Sequence, residues 1–307
     1  MEGAAVTDVR GVGLRGTGAV YDRGYRPYDG ERGGRAAAVM ALFKASVRRA
    51  IGLRRPWRQK VLPFGLLGIV CIPAAVNVGI GYATRNSPLE GFSFFTYREY
   101  VGVSSSLLLF VAVCAPDVIC PDRRQRVLPL IFARPLTGTD YVLAKLAAIG
   151  SLVFAFSFLP QVLLFVGQTL VSKDGSLNYV RDNAEVLWKV PLTVAVLAAY
   201  YAAMSLAVSS LTPRRIVAGA SIFGITIISS TVAAILHEVG ALDGRGPLFN
   251  ILGLPLLVRD LIFLGHLHED SDLAGVTGAG ALAVVAYLTV LGLSVGVLLW
   301  RYRWAER

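Results

Sequence analysis

Cysteine and charge are both scarce in this sequence. Its three cysteines, an odd number in or beside apolar runs, predict small buried side chains and no disulfide framework. Only 16% of the 307 residues are charged, 55% are hydrophobic, and the mean hydropathy is +0.60. This composition excludes an ordinary soluble domain and predicts a chain that folds in lipid.

A nucleotide-binding loop is also missing, since no G-x-x-x-x-G-K-[ST] pattern occurs. The glycines at positions 11–18 follow no predicted strand and open no predicted helix, so they do not suggest a phosphate-binding turn. We therefore expect no enzymatic activity and no cofactor bound by this chain. Any ATP hydrolysis is expected to belong to a partner.

Long apolar runs, in contrast, are frequent. A helix of about 20 apolar residues crosses a bilayer, and six runs reach that length. They cover residues 61–82, 101–119, 145–171, 190–211, 216–236 and 276–300. A seventh stretch, 247–265, contains Pro255 and the charges Arg259 and Asp260, which favour a re-entrant hairpin within an outer loop at 239–275. The predicted fold is all-α, with six transmembrane helices.

The position of the basic residues sets the expected orientation. Of the 30 Lys and Arg residues, 23 fall in the amino-terminal segment, the second and fourth loops and the tail, and 7 fall in the other three loops. Because positive charge is retained in the cytoplasm, both termini are expected there, in a multi-pass protein of the cell membrane. The net charge of +10 is thus assigned to topology and lipid contact, and no nucleic acid partner is expected.

Two parts are expected: a flexible cytoplasmic arm at residues 1–35, rich in Gly, Arg and Tyr, and one membrane domain at 36–307. The membrane domain begins with a segment, 36–56, in which Val39, Leu42, Phe43 and Val47 follow helical spacing. Basic residues lie mostly on its other face. This pattern predicts an amphipathic helix in the inner membrane interface, although a packed surface helix has the same spacing.

The cytoplasmic loop at residues 121–144 combines arginines with an apolar patch too short to enter the membrane. Such a patch with a basic rim is suited to docking in a groove of another protein. A basic loop that only sets the topology would have the same composition, and the residues alone do not separate the two interpretations.

This loop resembles that of permeases of the type-2 ATP-binding-cassette exporter family. The similar features are a charged turn at 122–126, an apolar patch at 127–132, the step Arg134-Pro135-Leu136-Thr137, and Tyr141 to Lys145 at the entry to the third span. Residues 21–35 also resemble the arm that opens many bacterial members. One departure is Asp117 and Asp122, where members often carry Glu.

The resemblance implies a permease subunit of an exporter, in which two such chains, identical or different, form the pore. A separate cytoplasmic ATPase would bind ATP and Mg and dock on the loop. The implied docking residues are Asp122, Arg123, Arg124, Arg126, Leu130, Phe132, Arg134 and Pro135. The implied substrate-path residues are Ser104, Ser105, Thr226 and Ser230. The sequence indicates no particular substrate, and the export direction comes from the resemblance.

Two other functions remain open. His266 and His268, with Glu269 and Asp270 beside them and His237 and Glu238 nearby in sequence, could bind a metal ion and make the chain a membrane-embedded enzyme. A non-catalytic scaffold could instead use the basic arm to bind anionic lipid or a cytoplasmic protein.

Overall fold

The computed structural model describes residues 33–53, 57–85, 95–101, 104–173, 175–268, 271–273 and 275–303. The chain separates into two compact units, Met1–Gly33 and Gly34–Arg307, and the helices all belong to the second unit. The predicted arm lies outside the described residues apart from its last three positions.

Within the described ranges, six helices are long and apolar enough to cross a membrane, which confirms the predicted all-α, multi-span architecture. They are α2 (Trp57–Thr84), α4 (Ser104–Arg124), α6 (Gly138–Val171), α8 (Val186–Leu211), α9 (Arg215–Glu238) and α11 (Ala279–Arg303). The shorter helices are α1 (Arg35–Ala50), α3 (Tyr97–Tyr100), α5 (Leu128–Phe132), α7 (Ser176–Asp182) and α10 (Leu254–Leu264).

The two largest extensions of the helices beyond the predicted apolar runs are at the end of α4 and the start of α6, and in both cases polar residues explain the difference. The second span was predicted to stop at residue 119, yet α4 continues to Arg124 because Asp122 and Arg123 find partners inside the protein. The third span was predicted to start at residue 145, but α6 begins at Gly138. A capping box formed by Thr137 and Asp140 starts the helix there.

The six long helices differ in how much of their surface the protein covers. The most apolar windows of α4 and α8 are 69% and 72% buried, whereas those of α2, α9 and α11 are at most 28% buried. The α4 and α8 helices therefore form the centre of the bundle, and the others present apolar side chains outward. In a membrane those side chains contact lipid or another chain.

The segment between α9 and α11 begins with two short 3₁₀ turns, Ala241–Gly244 and Gly246–Phe249, followed by α10. Tyr200 and Tyr201 of α8 hold it by donating hydroxyl hydrogen bonds to the carbonyls of Ile251 and Leu252, at 2.8 and 2.9 Å. A break was predicted at Pro255. The break lies before Pro255, which itself belongs to the first turn of α10. A proline is tolerated there because the first N–H groups of a helix have no partner within it. The depth of this segment in the membrane stays a prediction.

The bundle has two ends. The basic end holds α1, α5 and the junctions of α4 with α5 and of α5 with α6. The distal end holds α3, α7 and α10, where the Tyr97 and Tyr179 hydroxyls lie 2.8 Å apart and join α3 to α7.

Candidate functional site

The loop that the sequence singled out forms the helix α5 between the ends of α4 and α6. Leu130 is 72% exposed and lies outside the predicted spans. Several other predicted docking residues are exposed around it: Arg124, Arg126, Arg134 and Pro135. The outer side of α5 therefore presents an apolar residue surrounded by arginines.

The inner side of α5 is attached to the bundle. Phe132 is half-buried, and its ring centroid lies 6.0 Å from that of Tyr141 in α6. Leu128 and Ile131 pack against the main apolar core. A displacement of α5 would consequently press on the helices beneath it, since closely packed side chains transmit strain.

Asp122 lies beneath α5, with only 1% of its surface exposed, and it is the centre of a buried polar cluster. Its Oδ2 accepts hydrogen bonds from Lys145 Nζ at 2.7 Å and from the Tyr141 hydroxyl at 3.0 Å. Arg49 of α1 donates to Oδ1. Lys145 also donates to the Val118 carbonyl at 2.9 Å. Because buried charges are stable only when paired and hydrogen-bonded, this cluster fixes α1, α4 and α6 to one another.

The neighbouring Arg123 does not join the Asp122 cluster and instead donates a hydrogen bond to the carbonyl of Ser210. That carbonyl lies in the last turn of α8, where backbone acceptors have no partner within the helix. Arg123 thus joins the ends of α4 and α8. Of the predicted docking residues, Asp122 and Arg123 lie inside the supporting structure, and the exposed ones lie above it.

The amphipathic helix predicted at 36–56 is α1, and it is tied to the same structure at both ends. At its start, Arg35 Nε and Nη2 each donate to a carboxylate oxygen of Asp140 at 2.8 Å. These bonds raise the pKa of the Arg35 guanidinium above its ordinary value, so the group stays charged. At its end, Arg49 reaches Asp122, and Ser46 and Ala50 are buried. Helix α1 and α5 therefore share one base, formed by α4 and α6.

The predicted substrate-path residues are placed less uniformly. Thr226 is fully buried and donates to backbone carbonyls of its own helix at 2.9 Å. Ser230, one turn further along α9, donates to Asn250 Oδ1 at 2.9 Å. Ser105 is exposed, and the side chain of Ser104 lies outside the described part. The two hydroxyls on α9 thus have partners within the protein, and the path itself stays a prediction.

The histidines do not form a metal site with the described residues. His266 is exposed, and His237 Nε2 lies 4.0 Å from Asp272 Oδ1. Across the described ranges, no group of three His, Cys, Asp or Glu side chains is placed to hold a metal ion. Residues 269 and 270, which belonged to the suggested cluster, lie outside those ranges.

Sequence reasoning missed Arg49 and did not assign a role to Lys145 as a buried partner. A signal for Lys145 was available, because a lysine at the edge of an apolar run requires an anion nearby. For Arg49 there was none, because it is one of several basic residues in α1 and lies 73 positions from Asp122.

No known protein-family model matches this chain, and no curated protein matches it significantly.

Proposed function

We propose that this chain is the permease subunit of an ATP-driven exporter of the ATP-binding-cassette type, coupled to a separate cytoplasmic ATPase that binds ATP and Mg. The observation that carries the proposal is the exposed helix α5, apolar at Leu130 and basic around it, packed on a buried charge cluster. An exposed apolar residue with a cationic rim suits a protein groove lined with acidic residues.

The supporting contacts suit a lever. Force applied to α5 by a partner would reach α4 and α6 through Phe132, Tyr141 and the Asp122 cluster. The α4 helix lies at the centre of the bundle, so a tilt of α4 would alter its packing against α8 and α9. Coupling of this kind requires two discrete packings that the partner and the substrate favour differently.

A second permease chain, identical or different, completes the proposal. Helices α2, α9 and α11 leave most of their apolar surface uncovered in a single chain. Lipid covers such surfaces as well as protein does, so this feature permits a dimer without requiring one. The proposed location is the cell membrane with both termini in the cytoplasm, which rests on the excess of basic residues at the basic end.

The first test compares Leu130→Asp with Leu177→Asp. Both leucines are exposed on short helices, at 72% and 82%, but Leu177 lies on α7 at the distal end. The tagged chain is purified from its own cells in mild detergent, and co-purifying ATPase activity is measured. We expect the activity with the wild type and with Leu177→Asp, and its loss with Leu130→Asp, since a carboxylate replaces the apolar contact and desolvating it is costly.

Folded Leu130→Asp protein, with the same gel-filtration elution volume as Leu177→Asp, is the necessary control. Equal ATPase recovery with all three proteins would remove α5 from the docking surface. If no ATPase is recovered with the wild type, the exporter proposal fails, and the scaffold that binds lipid or protein through basic residues becomes the better explanation.

A further inference from the structure

A cavity of about 280 Å³ lies at the distal end, between α3, the 3₁₀ turns and α10. Its polar wall carries Arg98, Arg259, Asp260 and the amide of Asn250, and its apolar wall carries Leu256 and Leu257. The volume is at the lower end of that of small-molecule sites, and enough for one small polar group with part of an apolar tail.

Arg259 is committed to the protein. Its Nε and Nη2 donate to Asp260 Oδ1 at 2.9 and 2.8 Å, and its Nη1 donates to the carbonyl of Val101 at 3.2 Å. The side chain is 13% exposed. These three bonds fix the guanidinium at the cavity wall and leave one N–H on each Nη atom that a ligand could use.

Arg98 is held much more loosely. Its described ionic contact runs from Nη1 to the same Asp260 oxygen at 3.5 Å, although its side chain is only 16% exposed. A single carboxylate oxygen thus faces two guanidinium groups. Arg98 therefore retains donors that a ligand in the cavity could use.

The charge balance of the buried groups points to an anion. Arg98 and Arg259 carry two positive charges, and Asp260, 6% exposed, supplies one negative charge. Asp272 also borders the cavity, but its side chain is 68% exposed and lies near His237. Glu99 is exposed, caps the start of α3 through Thr96 and interacts electrostatically with both arginines, and His268 also borders the cavity. Among the described groups, the buried part of the cavity thus holds two guanidinium charges and one carboxylate, and only exposed carboxylates offset the second positive charge. An anion bound in the cavity would offset that charge at closer range.

Asn250 adds a neutral donor. Its Oδ1 accepts hydrogen bonds from Ser230 Oγ and from the Gly253 N–H, at 2.9 and 3.1 Å. Since both bonds use the oxygen, the amide NH₂ is the part that can donate to a ligand. The two guanidinium groups and the amide NH₂ on the cavity wall can only donate hydrogen bonds, and such donors match the acceptor oxygens of a phosphate.

From these contacts we propose that the cavity binds a phosphate group, either free or as the headgroup of a lipid whose chain runs along Leu256 and Leu257. The site involves only the distal end, so it stands or falls separately from the docking of an ATPase on α5.

The test uses two probes with the full-length chain in detergent: inorganic phosphate, and dihexanoyl phosphatidic acid. Binding is measured by titration calorimetry against sodium chloride at equal ionic strength. Arg98→Gln is compared with Arg181→Gln, an exposed arginine of α7 at the same end. We expect Arg98→Gln to weaken binding of whichever probe is recognised by roughly tenfold to a hundredfold, and Arg181→Gln to leave it unchanged.

Binding of inorganic phosphate identifies a soluble ligand, and binding of phosphatidic acid alone identifies a lipid headgroup; loss of either in Arg98→Gln supports the site. Should Arg98→Gln fail to fold, Arg98→Lys serves instead, because it keeps the charge and loses the planar fork, and we expect weaker binding from it. Absence of binding by both probes to the wild type, or equal affinity in the Arg98 variants, overturns the proposal.

Discussion

Asp122 shows how a buried residue can support the proposed docking helix α5 from inside the protein. Its carboxylate faces two cations, Lys145 and Arg49, and a phenol, Tyr141. Each of these comes from a different position in the chain, and together they secure the base on which α5 rests. The residue is therefore assigned to support of the site, whereas Leu130 and the exposed arginines are assigned to contact.

Replacing Asp122 by Asn should destabilise the protein strongly. The change leaves Lys145 buried without its counter-charge, and breaking a buried pair in this way costs about 3 kcal/mol or more. Thermal unfolding in detergent measures the loss. Asp182→Asn, on the exposed face of α7, is the matched control and should change stability by less than about 0.5 kcal/mol.

The double variant Asp122→Asn with Lys145→Met makes the test specific. Removing the orphaned ammonium should restore part of the stability, because the penalty lies in the unpaired charge. Additive losses in the double variant would show that the two groups do not act as a pair.

At the residue scale, the position of the candidate site could be predicted from the sequence. Which of its residues are buried and which are exposed could not. Arg124, Arg126, Leu130 and Arg134 are exposed, and their contact with a partner stays a prediction. That Asp122 is buried among partners 23 and 73 positions away depends on how helices pack, and local composition carries no information on such pairs.

Among the helices, α9 depends on glycine for its approach to α4. A Cβ built on Gly219 would lie 2.9 Å from the carbonyl oxygen of Ala112, whereas one built on Gly224 meets nothing within 4 Å. The contact at Gly219 is with backbone, which cannot rotate away. Small residues at such crossings let membrane helices pack closely.

Gly219→Ala should therefore push α9 away from α4 and destabilise the bundle by about 1–3 kcal/mol. Gly224→Ala, five residues along the same helix, should be neutral or stabilise it by up to about 1 kcal/mol, because alanine favours helix. Thermal unfolding of the two variants in the same detergent compares them directly. Equal stabilities would mean that the close crossing does not exist in the membrane.

Across the whole molecule, the two ends differ in charge and in proposed location. The basic end carries α1, α5 and the basic carboxyl end of α11, with Arg301 and Arg303. The distal end carries α7 and α10. From the positive-inside rule we propose that the basic end faces the cytoplasm.

Cysteine labelling tests that orientation. In a variant with Cys71, Cys114 and Cys120 replaced by Ala, single cysteines are introduced at Arg126 and Leu177, both exposed outside the long helices. A membrane-impermeant maleimide applied to intact cells should label Leu177→Cys and not Arg126→Cys. Lysis should make both reactive, and the reverse pattern in intact cells would invert the proposed topology.

The sequence by itself determined that the chain folds in lipid, how many long helices it forms, and that a basic loop joins the second and third of them. These follow from the length of apolar runs and from charge counts, which are local properties and survive any rearrangement of the helices. The tertiary structure alone decided which polar residues became partners: Asp122 with Lys145 and Arg49, and Arg98 with Arg259 around Asp260. Such pairs form because a charge removed from water must be compensated, and which neighbour compensates it is settled only when the helices pack.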